Sequence, residues 1–109
     1  MPHPLRSVVA LKQTITGTQS ATDMVQDDTA GSPAGGPGIE AGGLVDVAGG
    51  VTLTLTVVDK NGKLIYTGTA LGGDTAINPI AHGVTMPLRV AVSSHSGSGN
   101  TIIYWWVKK

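Results

Sequence analysis

The chain has no cysteine, no phenylalanine and only four aromatic residues in 109. Without cysteine there is neither a disulfide framework nor a thiolate metal site. A domain this small must then find stability elsewhere, and oligomerisation is one route. Without phenylalanine, Val, Leu, Ile and the few aromatics must fill the interior. Charge is scarce as well: 13% of residues, seven of each sign, with a formal net charge of zero. That balance offers no electrostatic attraction for nucleic acid or for an anionic membrane surface. It also brings little self-repulsion, which suits a component of an assembly. No apolar run approaches the ~20 residues that span a bilayer. The opening stretch "MPHPLRSVVALKQ" lacks the apolar core and small-residue cleavage site of a signal peptide, which predicts a chain made in a cytoplasm and used as made.

What the chain does have is 16 glycines, six prolines and abundant Thr and Val. This is the composition of short strands joined by turns. The clearest element is "VTLTLTVVDKNGKLIYTG", residues 51–68. Val51, Leu53, Leu55 and Val57 share one face and Thr52, Thr54 and Thr56 the other, a half-buried strand. Asn61-Gly62 supplies the positive φ angles of a tight hairpin turn, and "KLIYTG" returns. Further strands are expected over 7–16, at 21–25, around Leu44 to Val47, over 85–94 with Met86, Leu88, Val90 and Val92 on one face, and in the closing "TIIYWWVKK". "ALGGDTAINP" at 70–79 reads as a turn and a short extended piece, because Asn78 precedes Pro79. Pro87 points to an edge position or a strand start. No segment has helical periodicity. The expectation is an all-β fold: a single small antiparallel β-sandwich or barrel of about seven or eight strands over residues 7–109, behind an extended arm at 1–6. A long Gly/Pro-rich loop at 26–42 interrupts it, and loops of that length are usually functional or disordered.

Three of the four aromatics stand in a row, Tyr104, Trp105 and Trp106. Side chains alternate faces along a strand. Ile103 and Trp105 therefore face one way, and Ile102, Tyr104 and Trp106 the other. One set lines the core; the other needs a second cover.

The candidates for chemistry are sparse. His3, His82 and His95 lie apart, each without a second donor at ligand spacing, so a zinc site is not expected. Asp27-Asp28, with Asp23 and Glu40 nearby, is the one acidic cluster, but it lacks the ordering of a calcium loop. No Gly-x-Ser-x-Gly elbow occurs, and "GSGN" and "GGPG" lack the Lys-Ser/Thr of a phosphate-binding loop. The reading is a non-enzyme without a cofactor or metal.

The second half of the chain resembles small structural proteins of tailed bacteriophages. The resemblance rests on the Thr-rich strand and hairpin "VTLTLTVVDKNGKLIYTG", the turn and proline segment "GGDTAINP", and "MPLRVAVSSHSGSGNTIIYWW" with its aromatic last strand; "TITGTQSATDMV" is similar to the opening strand of such proteins. It implies a virion component, most directly a capsid decoration, or cement, protein. The expected partner is the major capsid protein, bound at the capsid surface by a homo-oligomer such as a trimer. The candidate subunit or capsid contacts are Tyr66, Tyr104, Trp105 and Trp106, with Pro2, Pro4 and Leu5 of the arm and Pro33, Pro37 and Ile39 of the loop. Two alternatives remain open. One is a carbohydrate-binding or host-attachment domain in which Tyr66, Tyr104 and a Trp stack on sugars. The other is a tail or head–tail joining protein.

Overall fold

The computed structural model describes residues 8–26, 35–80 and 83–108, the side chains of 76–80 excepted. Eleven strands run through it: β1 Val8–Ile15, β2 Gln19–Asp23, β3 Val25–Gln26, β4 Gly36–Gly38, β5 Glu40–Asp46, β6 Thr52–Val58, β7 Leu64–Leu71, β8 Thr75–Ile80, β9 Val84–Met86, β10 Arg89–Ser96 and β11 Thr101–Lys108. Eight of these are five residues or longer, and there is no helix among the described residues.

The strands form an open five-stranded sheet in the order β3-β1-β11-β5-β8, a four-stranded sheet in the order β2-β10-β6-β7, and a small pair, β4-β9. Every pairing is antiparallel. Among the described residues no sheet closes on itself, so a sandwich-like arrangement describes the fold. Its interior is built from alternate residues of both large sheets: Leu11 and Ile15 from β1, Val45 from β5, Ile103, Trp105 and Val107 from β11, facing Leu53, Leu55 and Val57 from β6 and Val90 and Val92 from β10. The period-two reading of residues 51–57 and 86–92 is the physical basis of that layer.

Several boundaries differ from those the pattern suggests. The expected strand over 85–94 is two strands, β9 and β10, broken at Pro87, which cannot donate to a ladder. Burial nevertheless alternates straight through the break at Met86, Leu88, Val90 and Val92. The expected segment 21–25 is also two pieces. Met24, fully buried, lies where the chain leaves the four-stranded sheet after β2 and joins the five-stranded one as β3, and its N–H donates to the Leu88 carbonyl at 2.8 Å. Pro79 sits in β8, an edge strand, where a missing N–H interrupts no inner ladder. The proposed loop at 26–42 is shorter than expected: 36–38 pair with β9, and 40–42 already belong to β5.

This part of β5 carries two neighbouring glycines. In register, Gly43 lies opposite Trp105 and Gly42 opposite Trp106. A Cβ on Gly43 would stand 3.1 Å from the Trp105 ring and would collide with the Tyr104 carbonyl oxygen. A Cβ on Gly42 would stand 2.7 Å from Cζ2 of Trp106. The glycine pair leaves room for one indole inside the sandwich and one outside it. In sequence it looks like loop.

The hairpin β6–β7 is closed by Asp59, Lys60, Asn61 and Gly62. Gly62 alone of these takes a positive φ, +82°, and its N–H donates to the Asp59 carbonyl at 3.0 Å. The connection is therefore a longer turn with a glycine at its end, and not the two-residue Asn-Gly turn that the sequence suggests. The Asp59 side chain, 3% exposed, accepts N–H bonds from Asn61 (2.9 Å) and Lys63 (3.0 Å) on Oδ1 and from Thr85 (3.2 Å) on Oδ2. One carboxylate thus closes the hairpin and ties it to β9. Burial by itself raises the Asp59 pKa, but the three backbone donors and the Lys63 ammonium outweigh it, so the value lies below the ordinary 3.8. As pH falls, the unfolded chain takes up the proton before the folded one. The stabilisation is therefore complete above the ordinary aspartate range and is lost as the pH drops through the depressed folded value. Replacing Asp59 by Ala orphans three N–H groups and should cost about 1–3 kcal/mol near neutral pH. Urea melts should show that difference shrinking in strong acid.

Another polar link ties the two large sheets, between β1 and β2. Gln13 breaks the apolar parity of β1. Its Nε2 donates to the Thr22 and Asp23 carbonyls at 3.3 and 3.1 Å, and its Oε1 accepts from Gln19 Nε2 at 2.8 Å. Gln19 Nε2 also reaches the Val90 carbonyl at 2.9 Å. An inward-pointing amide is tolerated there because backbone carbonyls of the facing sheet satisfy it.

Candidate functional site

The outward residues of the five-stranded sheet form the face on which the aromatic strand lies. Strand β11 runs down its middle, flanked by β1 and β5. The register places Ile102 between Thr14 and Asp46, Tyr104 between Lys12 and Leu44, Trp106 between Ala10 and Gly42, and Lys108 between Val8 and Glu40. The centre of the face is thus Ile102, Tyr104, Trp106, Ala10 and Leu44. Tyr104 is 37% exposed, Leu44 38% and Val8 56%, while Ile102 and Trp106 are half-buried.

Trp106 owes its burial to Gly42, which lets the ring lie close against β5. Two lysines cover the aromatics from outside. Lys108 Nζ stands 5.5 Å from the Trp106 ring centroid and 3.4 Å from Glu40 Oε2. Lys12 Nζ stands 5.8 Å from the Tyr104 ring. Both distances fall in the cation–π range, and both lysine stems shield apolar surface while keeping the ammonium in water. At the far end of β5, the Asp46 carboxyl in its protonated form donates a hydrogen bond to the Asp74 carboxylate, and in its ionised form it meets that carboxylate's charge. Both raise the Asp46 pKa, with a smaller contribution from desolvation.

The predicted contact residues separate cleanly. Tyr104 and Trp106 share this face. Trp105 does not: at 2% exposure it is a core side chain, packed between Leu11 and Gly43, and its place among the contact candidates is corrected. Tyr66 does not join them either. It sits on β7 of the other sheet, half-buried against the core. Pro37 and Ile39 are exposed around the start of β5, where the Ile39 N–H donates to the Lys108 carbonyl at 2.7 Å. Pro2, Pro4, Leu5 and Pro33 lie outside the described residues.

The acidic cluster disperses in three dimensions. Asp23, on the four-stranded sheet, holds Arg89 at 2.8 Å, whereas Glu40, on the five-stranded sheet, holds Lys108. Asp27 and Asp28 are outside the described residues. Among the described residues no three His, Asp or Glu side chains converge as metal ligands, and no pocket opens at the surface. What this face offers is apolar area, two aromatic rings and a few charges at its ends.

The lysine caps and the Gly42 seat escaped sequence reasoning. Lys12 meets Tyr104 and Gly42 meets Trp106 only through the β5–β11–β1 register, whereas Lys108 follows Trp106 by two residues on the same strand. The fold defines an all-β, sandwich-like domain. No family model and no curated protein matches the chain.

Proposed function

We propose that the protein is a non-enzymatic virion component, a capsid decoration protein that stabilises a phage head by binding across neighbouring subunits of the major capsid protein. The observation that carries the reading is the column Ile102, Tyr104 and Trp106, kept half-exposed on a sandwich whose core is already filled by Ile103 and Trp105. A strand that is apolar on both sides calls for cover on both. The resemblance of the Thr-rich hairpin and aromatic last strand to phage structural proteins points to the same role, and the low, balanced charge accords with a particle-bound state. A homo-oligomer, with a trimer favoured, would present this face in several copies. Repetition over a shell turns modest single contacts into firm attachment.

The sugar-stacking alternative is the weaker one. Tyr66 is on the opposite sheet, and the outer surfaces of Tyr104 and Trp106 are already attended by Lys12 and Lys108. The test is quantitative mass spectrometry of particles purified from a host that carries the gene. A decoration protein is expected in a copy number that scales with the capsid lattice. A copy number matching a single vertex would instead assign the chain to the tail or the head–tail joint, and absence from the particle would overturn the virion reading.

A further inference from the structure

Asn-Gly occurs once in the chain, at Asn61-Gly62. Chemically it is the dipeptide most prone to deamidation, because no side chain on the following residue hinders its nitrogen. In the reaction the Gly62 nitrogen attacks Asn61 Cγ. The Cγ–Nδ2 bond breaks, and ammonia leaves with the proton lost from the Gly62 nitrogen. Water then opens the succinimide. Opening at Cγ gives aspartate, and opening at the backbone carbonyl gives isoaspartate with an extra methylene in the main chain. The reaction needs a free Gly62 N–H and a turn able to rearrange.

Both residues are exposed, so solvent has access. The backbone, however, is held. The N–H groups of Asn61, Gly62 and Lys63 all donate to one residue, Asp59: to Oδ1 at 2.9 Å, to the main-chain carbonyl at 3.0 Å and to Oδ1 at 3.0 Å. The Lys60 N–H donates to the Thr85 carbonyl at 2.9 Å, and Asn61 Nδ2 leans toward Thr85 Oγ1, 3.5 Å away.

We propose that Asn61 is a conditional deamidation site, protected while Asp59 clamps the turn and modified when the clamp opens. Modification would reinforce itself. The product carries a new carboxylate two residues from Asp59, and the isoaspartyl form lengthens the turn, so either weakens the clamp that protected it. The proposal is independent of what the aromatic face binds.

The test incubates the full chain in mildly alkaline buffer, folded and in concentrated urea, and follows residue 61 by peptide mapping and by isoaspartate-specific methylation. Folded wild type should deamidate at least about tenfold more slowly than unfolded chain, the scale of one protected backbone hydrogen bond. Asp59→Ala, which removes the side-chain bonds to Asn61 and Lys63 but leaves the main-chain carbonyl that holds the Gly62 N–H, should restore part of the lost rate by loosening the turn. Asp59→Asn, which keeps one acceptor oxygen, should fall between that variant and wild type. If Asp59→Ala fails to fold, Asp59→Asn and amide exchange at Gly62 in the wild type decide. Equal rates in folded and unfolded wild type would overturn the proposal. So would a folded Asp59 variant as slow as wild type, a Gly62 amide that exchanges freely, or modification confined to Asn100.

Discussion

Replacing Trp105 by alanine should remove about 3–5 kcal/mol of stability, the usual loss for a buried aromatic. The side chain is among the largest fully buried ones in the sandwich, and it fills the space between Leu11 on one neighbouring strand and Gly43 on the other. The facing layer of Leu53, Leu55 and Val57 is held by a separate hydrogen-bonded sheet, so it cannot collapse far into the hole. A small domain has roughly 5–15 kcal/mol in total, so the variant should be close to unfolded at physiological temperature. Chemical denaturation measured against wild type checks this. A loss below 1 kcal/mol would mean that Trp105 is not the keystone of the core. Gly43→Val should fail for a complementary reason, because its side chain would enter the volume that the indole and the Tyr104 carbonyl occupy.

The double substitution Tyr104→Thr and Trp106→Thr should have the opposite profile. Both positions face outward, and threonine suits an exposed strand. The fold should survive, with a modest loss from the seat that Trp106 has on Gly42. Attachment should not. Aromatic side chains at the centre of an interface commonly carry 2 kcal/mol or more each, roughly thirtyfold in affinity apiece. On a repeated lattice the two losses compound across every linked contact. The expected result is a well-folded variant missing from purified particles. Incorporation at wild-type levels would show that the aromatic face is not the contact surface.

How much of this was legible in the sequence depends on the distance over which each feature is decided. Alternation along a strand is local, so Val51 to Val57, and Met86 to Val92, could be assigned to the core without a structure. The two-sidedness of the last strand was equally legible, but not which tryptophan turns inward. That is settled by which parity of β11 meets Leu11 and Val45, residues far away in the chain. The same limit explains Gly42 and Gly43. A glycine that makes room for a ring and a glycine that makes a turn look alike until the ring's position is known, and here the rings are near the end of the chain. Tyr66 could be assigned to a strand but not to a sheet, so its grouping with Tyr104 failed. Asp59 falls in the turn by sequence, but its bond to Thr85 is not legible there, because it crosses to another strand.

The division of the two indoles between inside and outside gives the molecule two optical reporters of different character. With no other tryptophan in the chain, emission divides into a shielded component from position 105 and a water-accessible one from position 106. A soluble quencher should extinguish the second first, and whatever settles on that face should restore it while leaving the first unchanged. Docking and unfolding can therefore be followed separately by fluorescence, in the native protein and without a dye.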